Sequence, residues 1–444
     1  MTALSATQIT ALRGVIEMAP DAAVERLERS LREDPKGLAP VRELVQAEGE
    51  DRRARTAVFA PLLPLCGPAG AASRTLDLPR DLPARLWRGL KLADPRKVEA
   101  AVIMSQRLTP PEGGGAPIYD GLCREAAKGL RAQANAEFAV AAEALDAGRT
   151  GDAELVARLL DIAPIARSAL QRLPEWLNHM NEDAAAAARL AFKDATEVAE
   201  DGGLRLMEVL FAHMGEPSRI LRLVSAVMDH PGESYVAASE LSGFGDRVLE
   251  DIDARIAEVT ALDPEAGPDA GQRAGQAAST AVSQFIEFER GVDLARNGPW
   301  GQRIGKQKRA LAAAVESRLK QAVRAAGEAL PLKSKARGAV RGMPNLANPP
   351  EPRLVRRALT LLAFMDAIRA AAAAGGFGRP RAEAAEGLSA QIDLYVEDLL
   401  DTLHAGDVEV EPRARAYLAV AADFLALVTD EKAAEVARRR AAAA

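Results

Sequence analysis

One apolar stripe constrains this chain more than any other feature. In GQRIGKQKRALAAAVESRLKQAVRAAGEALP, which begins at Gly301, residues Ile304, Leu311, Val315, Leu319, Ala322, Ala326 and Leu330 recur at spacings of three, four or seven. Only an α-helix brings such positions onto one face. At about 100° per residue, Lys306, Arg309, Glu316, Lys320 and Arg324 fall roughly opposite that face, with Arg303 at its edge. The stretch therefore predicts a helix with one dry side and one positive side. Upstream, Phe285, Phe288 and Val292 carry an apolar face as far as Asn297, Gly298 and Pro299. Pro299 lacks the donor a helix interior requires and disfavours helical geometry at Gly298, so a kink or turn is expected there. Downstream, Lys333, Lys335, Arg337 and Arg341 sit in KSKARGAVRGMPNLANPP, whose Gly and Pro content reads as an exposed loop.

The same period recurs along the chain. Ser5 and Gln8 form a capping-box pattern ahead of Ile9, Leu12 and Ile16, and Asp21 opens a second helix with Val24, Leu27 and Leu31 inward. Asp94 with Pro95 at the first helical position opens another. A long Ala-rich helix is expected from about Tyr119 to Asp146. The most apolar text, residues 204 to 229, divides at Gly215 and Pro217. Leu241, Phe244, Val248, Ile252, Ile256 and Val259 make a clean stripe. So do Leu354, Ala358, Leu361, Met365 and Ile368, then Leu388, Ile392, Tyr395, Leu399 and Leu403, and finally Tyr417, Val420, Phe424 and Leu427. No segment alternates with the period of a strand, and no fixed 34- or 40-residue repeat is present.

Aromatic residues make up only 4% of the chain against 48% hydrophobic residues overall. Cores built from Ala, Leu and Val suit closely approaching helices rather than sheets. The expected fold class is all-α, with helical hairpins, a C-terminal antiparallel helix bundle and no significant β-sheet, a pattern compatible with an elongated form. A chain of 444 residues is long for one core. TPPEGGGAPI (109–118) and DPEAGPDAGQRAGQ (263–276) read as linkers, which divides the chain into an N-terminal region of short helices (1–108), a central Ala-rich helical domain (118–262) and a C-terminal bundle with the basic helix and loop (273–444).

Catalytic and metal chemistry finds little to work with. The four histidines lie in no Glu-x-x-His pair, and residues 176, 210, 227 and 401, three before each, are Trp, Leu, Val and Asp. Glu175 and His179 could share a helix face, and His213, His230 and His404 read as core or helix-end residues. Gly305 and Lys306 resemble the end of a phosphate-binding loop, but Trp300 stands where its first glycine belongs and Gln307 where a hydroxyl is required. Cys66 and Cys123 lack zinc-type spacing. No catalytic residue, cofactor or metal is expected.

The formal net charge of −6 disfavours polyanion binding by the chain as a whole. Charge is unevenly placed, however: residues 296 to 341 hold 12 Lys/Arg against 2 acids, and residues 241 to 295 hold 11 Asp/Glu against 4 Arg. Two outcomes are open. The acidic helix around Glu250, Asp251, Asp253 and Glu258 packs beside the basic one and neutralises it, or Arg303, Lys306, Arg309, Lys320, Arg324, Lys333, Lys335 and Arg337 form a surface for an anionic partner. The leading functional expectation is a non-catalytic interaction or scaffold protein that docks a protein partner through helical surfaces. The alternatives are binding of nucleic-acid phosphates through residues 303–341, with Trp300 as the only nearby aromatic for stacking, and an enzyme of unrecognised type. No run approaches 18 apolar residues and no signal-peptide pattern opens the sequence, so a cytoplasmic protein without a membrane span is expected.

Overall fold

The computed structural model describes residues 5–33, 39–67, 73–106, 116–228, 232–295, 297–333, 342–405 and 408–444. The fold is all-α: the described residues contain no strand, only isolated bridges between Gly232 and Asp293 and between Leu332 and Pro344. The chain forms two compact units, Met1–Asp229 and His230–Ala444. Among the described residues no helix is long and apolar enough to cross a membrane.

The N-terminal unit contains α1 (Ala6–Met18), α2 (Asp21–Glu33), α3 (Ala39–Phe59), α4 (Leu82–Ala93), α5 (Pro95–Ser105) and α6 (Ala116–Ala132). These are followed by α7 (Ala136–Gly148), α8 (Asp152–Asp161), α9 (Ala163–Asn178), α10 (Glu182–Val198), α11 (Gly202–Ala212) and α12 (Ile220–Val227). Ser5 accepts from the Gln8 amide and Gln8 reaches back to the Ser5 amide, closing the predicted capping box. Asp94 likewise accepts from the Lys97 amide. Ile16, Val24, Leu31 and Val45 form the small core of the first three helices. Leu27, expected to face inward, is 45% exposed. Arg52 of α3 locks these helices together: its guanidinium donates to Glu48, Asp21 and the carbonyls of Ile16, Glu17 and Ala19.

The single helix expected over Tyr119–Asp146 is two helices. Gln133 adopts a left-handed φ of 46°, and Asn135 caps α7 by accepting from the Phe138 amide. The break swings Phe138 into a slot where a Cβ on Gly89 or Gly129 would lie 2.9 or 2.3 Å from its ring. Edge-on contact of Phe59 with Trp87, centroids 6.4 Å apart, continues this core.

The C-terminal unit contains α13 (Glu233–Ala238), α14 (Ser242–Thr260), α15 (Pro268–Gly291), α16 (Pro299–Ala329), α17 (Pro352–Ala367), α18 (Gly378–His404), α19 (Glu411–Val428) and α20 (Glu431–Ala443). All seven residues of the stripe from Ile304 to Leu330 and all six of the stripe from Leu241 to Val259 are buried. Burying each large aliphatic side chain contributes roughly 2 kcal/mol, which is what holds α14 and α16 together. Residues 268–276, read from sequence as linker, are the first turns of α15. Their glycines are there for contact: Gly271 and Gly275 meet the α17 backbone at Thr360 and Phe364. The Arg-rich terminus is helical too, with Arg438 on Asp423 and Glu431 and Arg440 on Glu397.

Candidate functional site

The start of α16 is fixed from a distance. Gly298 is extended and Pro299 occupies the first helical position, so this end offers few amide donors. Those it offers are taken by Glu233, whose carboxylate accepts from the amides of Ala295 (2.8 Å), Trp300 (2.7 Å) and Gly301 (3.3 Å). Glu233 is 2% exposed. A buried carboxylate on the positive end of a helix is favourable, and it leaves no amide cradle there for an external phosphate. No local sequence signal marks this contact, because Glu233 lies more than sixty residues before its partners.

Trp300 is turned inward. Its indole N–H donates to Asp246 at 2.8 Å, and its ring meets Phe288 edge-on with centroids 5.5 Å apart. A Cβ on Gly245 would be 2.6 Å from that ring. The aromatic expected beside the basic surface is therefore a core residue and offers no face for base stacking.

The acidic helix packs beside the basic one as a parallel neighbour, joined by Gln307 donating to the Leu249 carbonyl at 2.8 Å and by Arg318 donating to the carbonyls of Val259 and Thr260 at the end of α14. A cation on a helix C-terminus is favourable, and burial lowers the Arg318 pKa from its ordinary value. Yet adjacency does not neutralise the ridge. Glu250 pairs with Arg247, Asp251 and Glu258 with Arg255, and Asp246 with Trp300, all spent within the unit's own framework. Asp246 meets α16 only at the Trp300 indole, and among the described residues Asp253 alone of the α14 carboxylates meets a cation of the ridge, Arg303 at 2.8 Å. Lys308 is held by Glu289 of α15 at 2.6 Å, and Lys320 by Glu316 one turn back on α16.

Lys306, Arg309 and Arg324 remain. All three are exposed, and none has a carboxylate partner among the described residues. Arg303, Lys306 and Arg309 line an open groove of about 670 Å³ with Pro299, Gly301, Gln302 and Gly305. Lys333 is exposed just beyond α16, its amide donating to the Met343 carbonyl at 2.7 Å. Lys335 and Arg337 lie outside the described residues. The structure thus brings Arg303, Lys306 and Arg309 together, places Arg324 further along the same face, and divides the sequence-level cluster into cations already paired and cations still free.

The remaining titratable groups of note are in the N-terminal unit. Burial pushes the thiols of Cys66 and Cys123 up to about 12, and both are unpaired. Burial raises the Glu208 carboxyl, which Arg205 and Thr75 hold at 2.8 and 3.3 Å. His213 ends α11 with Nε2 donating to the Pro61 carbonyl at 3.0 Å, and partial burial of its ring lowers its pKa. Among the described residues no group of three or more His, Cys, Asp or Glu side chains could hold a metal ion. No known protein family, curated protein or solved structure matches this chain.

Proposed function

We propose that this chain is a non-catalytic helical docking protein whose C-terminal unit captures an acidic protein surface on the cationic ridge of α16. The observation that carries the reading is the set of exposed cations, Lys306, Arg309 and Arg324, for which no carboxylate partner exists among the described residues. Between Lys306 and Arg324 the ridge runs for about 27 Å at 1.5 Å per residue, the footprint of one helix or extended segment. Three features favour protein carboxylates over a polyphosphate. The chain has a net charge of −6, Trp300 is buried, and Glu233 already fills the amide cradle at the helix start.

The test compares a labelled oligoglutamate peptide with a DNA duplex, against the wild type and a K306E/R309E/R324E variant of unchanged helicity. Exposed pairs contribute only about 0.2 to 1 kcal/mol each, so reversing three should remove roughly 2 kcal/mol, about a thirtyfold loss in affinity. Equal affinity of variant and wild type for the peptide would overturn the reading. Duplex binding with a log-log salt slope near −3, one unit for each free cation, would replace the acidic protein with a polyphosphate.

A further inference from the structure

The same unit carries a surface that fits the ridge. On α18, Glu386, Asp393 and Asp401 are exposed and have no cation partner among the described residues, Asp393 accepting only from the Ser389 hydroxyl at 3.4 Å. Their spacing mirrors that of α16. From Arg309 to Ser317 to Arg324 the steps are eight and seven residues, and from Asp401 back through Asp393 to Glu386 they are again eight and seven. Each run spans about 22 Å. Laid antiparallel, the two helices set Arg309 against Asp401, the Ser317 hydroxyl against Asp393 and Arg324 against Glu386. Lys306 then falls opposite the last turn of α18, whose negative dipole end attracts a cation.

Resting on the docking reading above, we propose that the acidic surface taken by the α16 ridge is α18 of a second copy of this chain, the two C-terminal units pairing about a two-fold axis. Within one copy α16 and α18 run parallel and in fixed register. The Gln391 amide lies 3.7 Å from where a Cβ on Gly327 would be, and the Tyr395 hydroxyl donates to the Pro331 carbonyl at 3.5 Å. Because cationic and acidic runs occupy neighbouring parallel helices, the antiparallel match formed by one α16 is repeated by the other, as an isologous contact requires.

That register also fixes where the axis passes. Counting back one turn from Gly327 and Gln391, Val323 is level with Gly387, and pairing Arg309 with Asp401 puts the two-fold at this same level. Val323 is 39% exposed. Gly387 lies inside a 27-residue helix, yet a Cβ there would meet nothing within 4 Å. No contact among the described residues accounts for a glycine at a position where alanine would favour the helix. At the level of the axis it has a role: the missing side chain lets the two backbones approach.

Sedimentation velocity on the full chain tests this. The wild type is expected to sediment as a species of twice 47.0 kDa that dissociates as salt is added. R309E/R324E and E386K/D401K should each self-associate at least about tenfold more weakly, because like charges then face each other at both contacts. An equimolar mixture of the two should regain the paired species, since the exchanged charges match again in both directions. G387L should block pairing while circular dichroism stays unchanged. A monomeric wild type, pairing that survives in both charge-reversed variants, or a mixture that stays monomeric would overturn the proposal. Should the wild type be monomeric while R309E/R324E still loses the oligoglutamate peptide, the docking reading stands and self-pairing alone fails. Should the peptide bind both equally, the docking reading fails with it.

Discussion

Replacing Gly271 with alanine measures how far the C-terminal unit depends on helix approach. A Cβ at Gly271 would lie 1.9 Å from the Thr360 carbonyl oxygen, 2.9 Å from its carbon and 3.1 Å from the Phe364 nitrogen. These are backbone atoms and cannot rotate aside. Ordinary contact begins at 3.4 Å, so α15 and α17 would have to part by about 1.5 Å locally. The contacts beside it would stretch as well, including the Ser279 hydroxyl on the Ala367 carbonyl at 3.2 Å. Overpacking of this kind costs about 1 to 3 kcal/mol or more, and the better helix propensity of alanine offsets about 1 of it. The expected net loss is roughly 2 kcal/mol, or about 4 to 8 °C for a unit of this size. Gly305→Ala is the matched control: it is also inside a helix of this unit, but its nearest neighbour is the tip of the Arg309 side chain at 3.6 Å. It should gain about 1 kcal/mol from helix propensity. Calorimetric melting of both variants decides the matter. If G271A melts at or above the wild type, or if both substitutions shift the melt in the same direction, close backbone approach is not what Gly271 provides.

Two further outcomes concern the N-terminal unit. The lowered pKa of His213 means the folded state binds fewer protons than the unfolded state once pH falls below about 6.5, so stability is full above that value and declines as pH drops toward the lowered folded value; H213Q, which keeps a donor for the Pro61 carbonyl, should flatten the decline in urea midpoints, and equal slopes would refute it. Cys66 and Cys123, with thiols held near 12 by burial, should not react with an aromatic disulfide reagent at neutral pH until the chain is unfolded, when both should titrate; a fast-reacting thiol in the native protein would contradict their burial.

What the sequence shows plainly is what depends on residues within a turn or two of one another. The caps at Ser5 and Asp94 and the stripes of α14, α16 and α18 follow from side chains three or four positions apart, and each is present as read. The misreadings share a cause. Gly271 and Gly275 look like linker residues because glycine breaks helices in isolation; here α17, nearly ninety residues away, makes their missing side chains necessary. The break at Gln133 is hidden in an Ala-rich pattern because its reason, the slot for Phe138 between Gly89 and Gly129, is tertiary.

Charge obeys the same division, and it bears on function more directly. Composition shows that residues 296–341 are basic and that the preceding stretch is acidic, and from this alone full mutual neutralisation is as reasonable as none. Geometry decides between them residue by residue. The α14 carboxylates turn mostly to arginines on their own helix, because partners one turn apart need no further ordering of the chain. That leaves Asp253 alone to reach Arg303. Glu233 removes the helix terminus from competition, which leaves the flank of α16, where Lys306, Arg309 and Arg324 have no carboxylate partner among the described residues. Side-chain cations spaced along a helix face select a partner with carboxylates at matching intervals, whereas an amide cradle at the helix end would accept almost any phosphate. On the docking reading proposed above, the buried carboxylate makes the spacing of the free cations, rather than the total charge of the segment, the quantity that a partner would have to match.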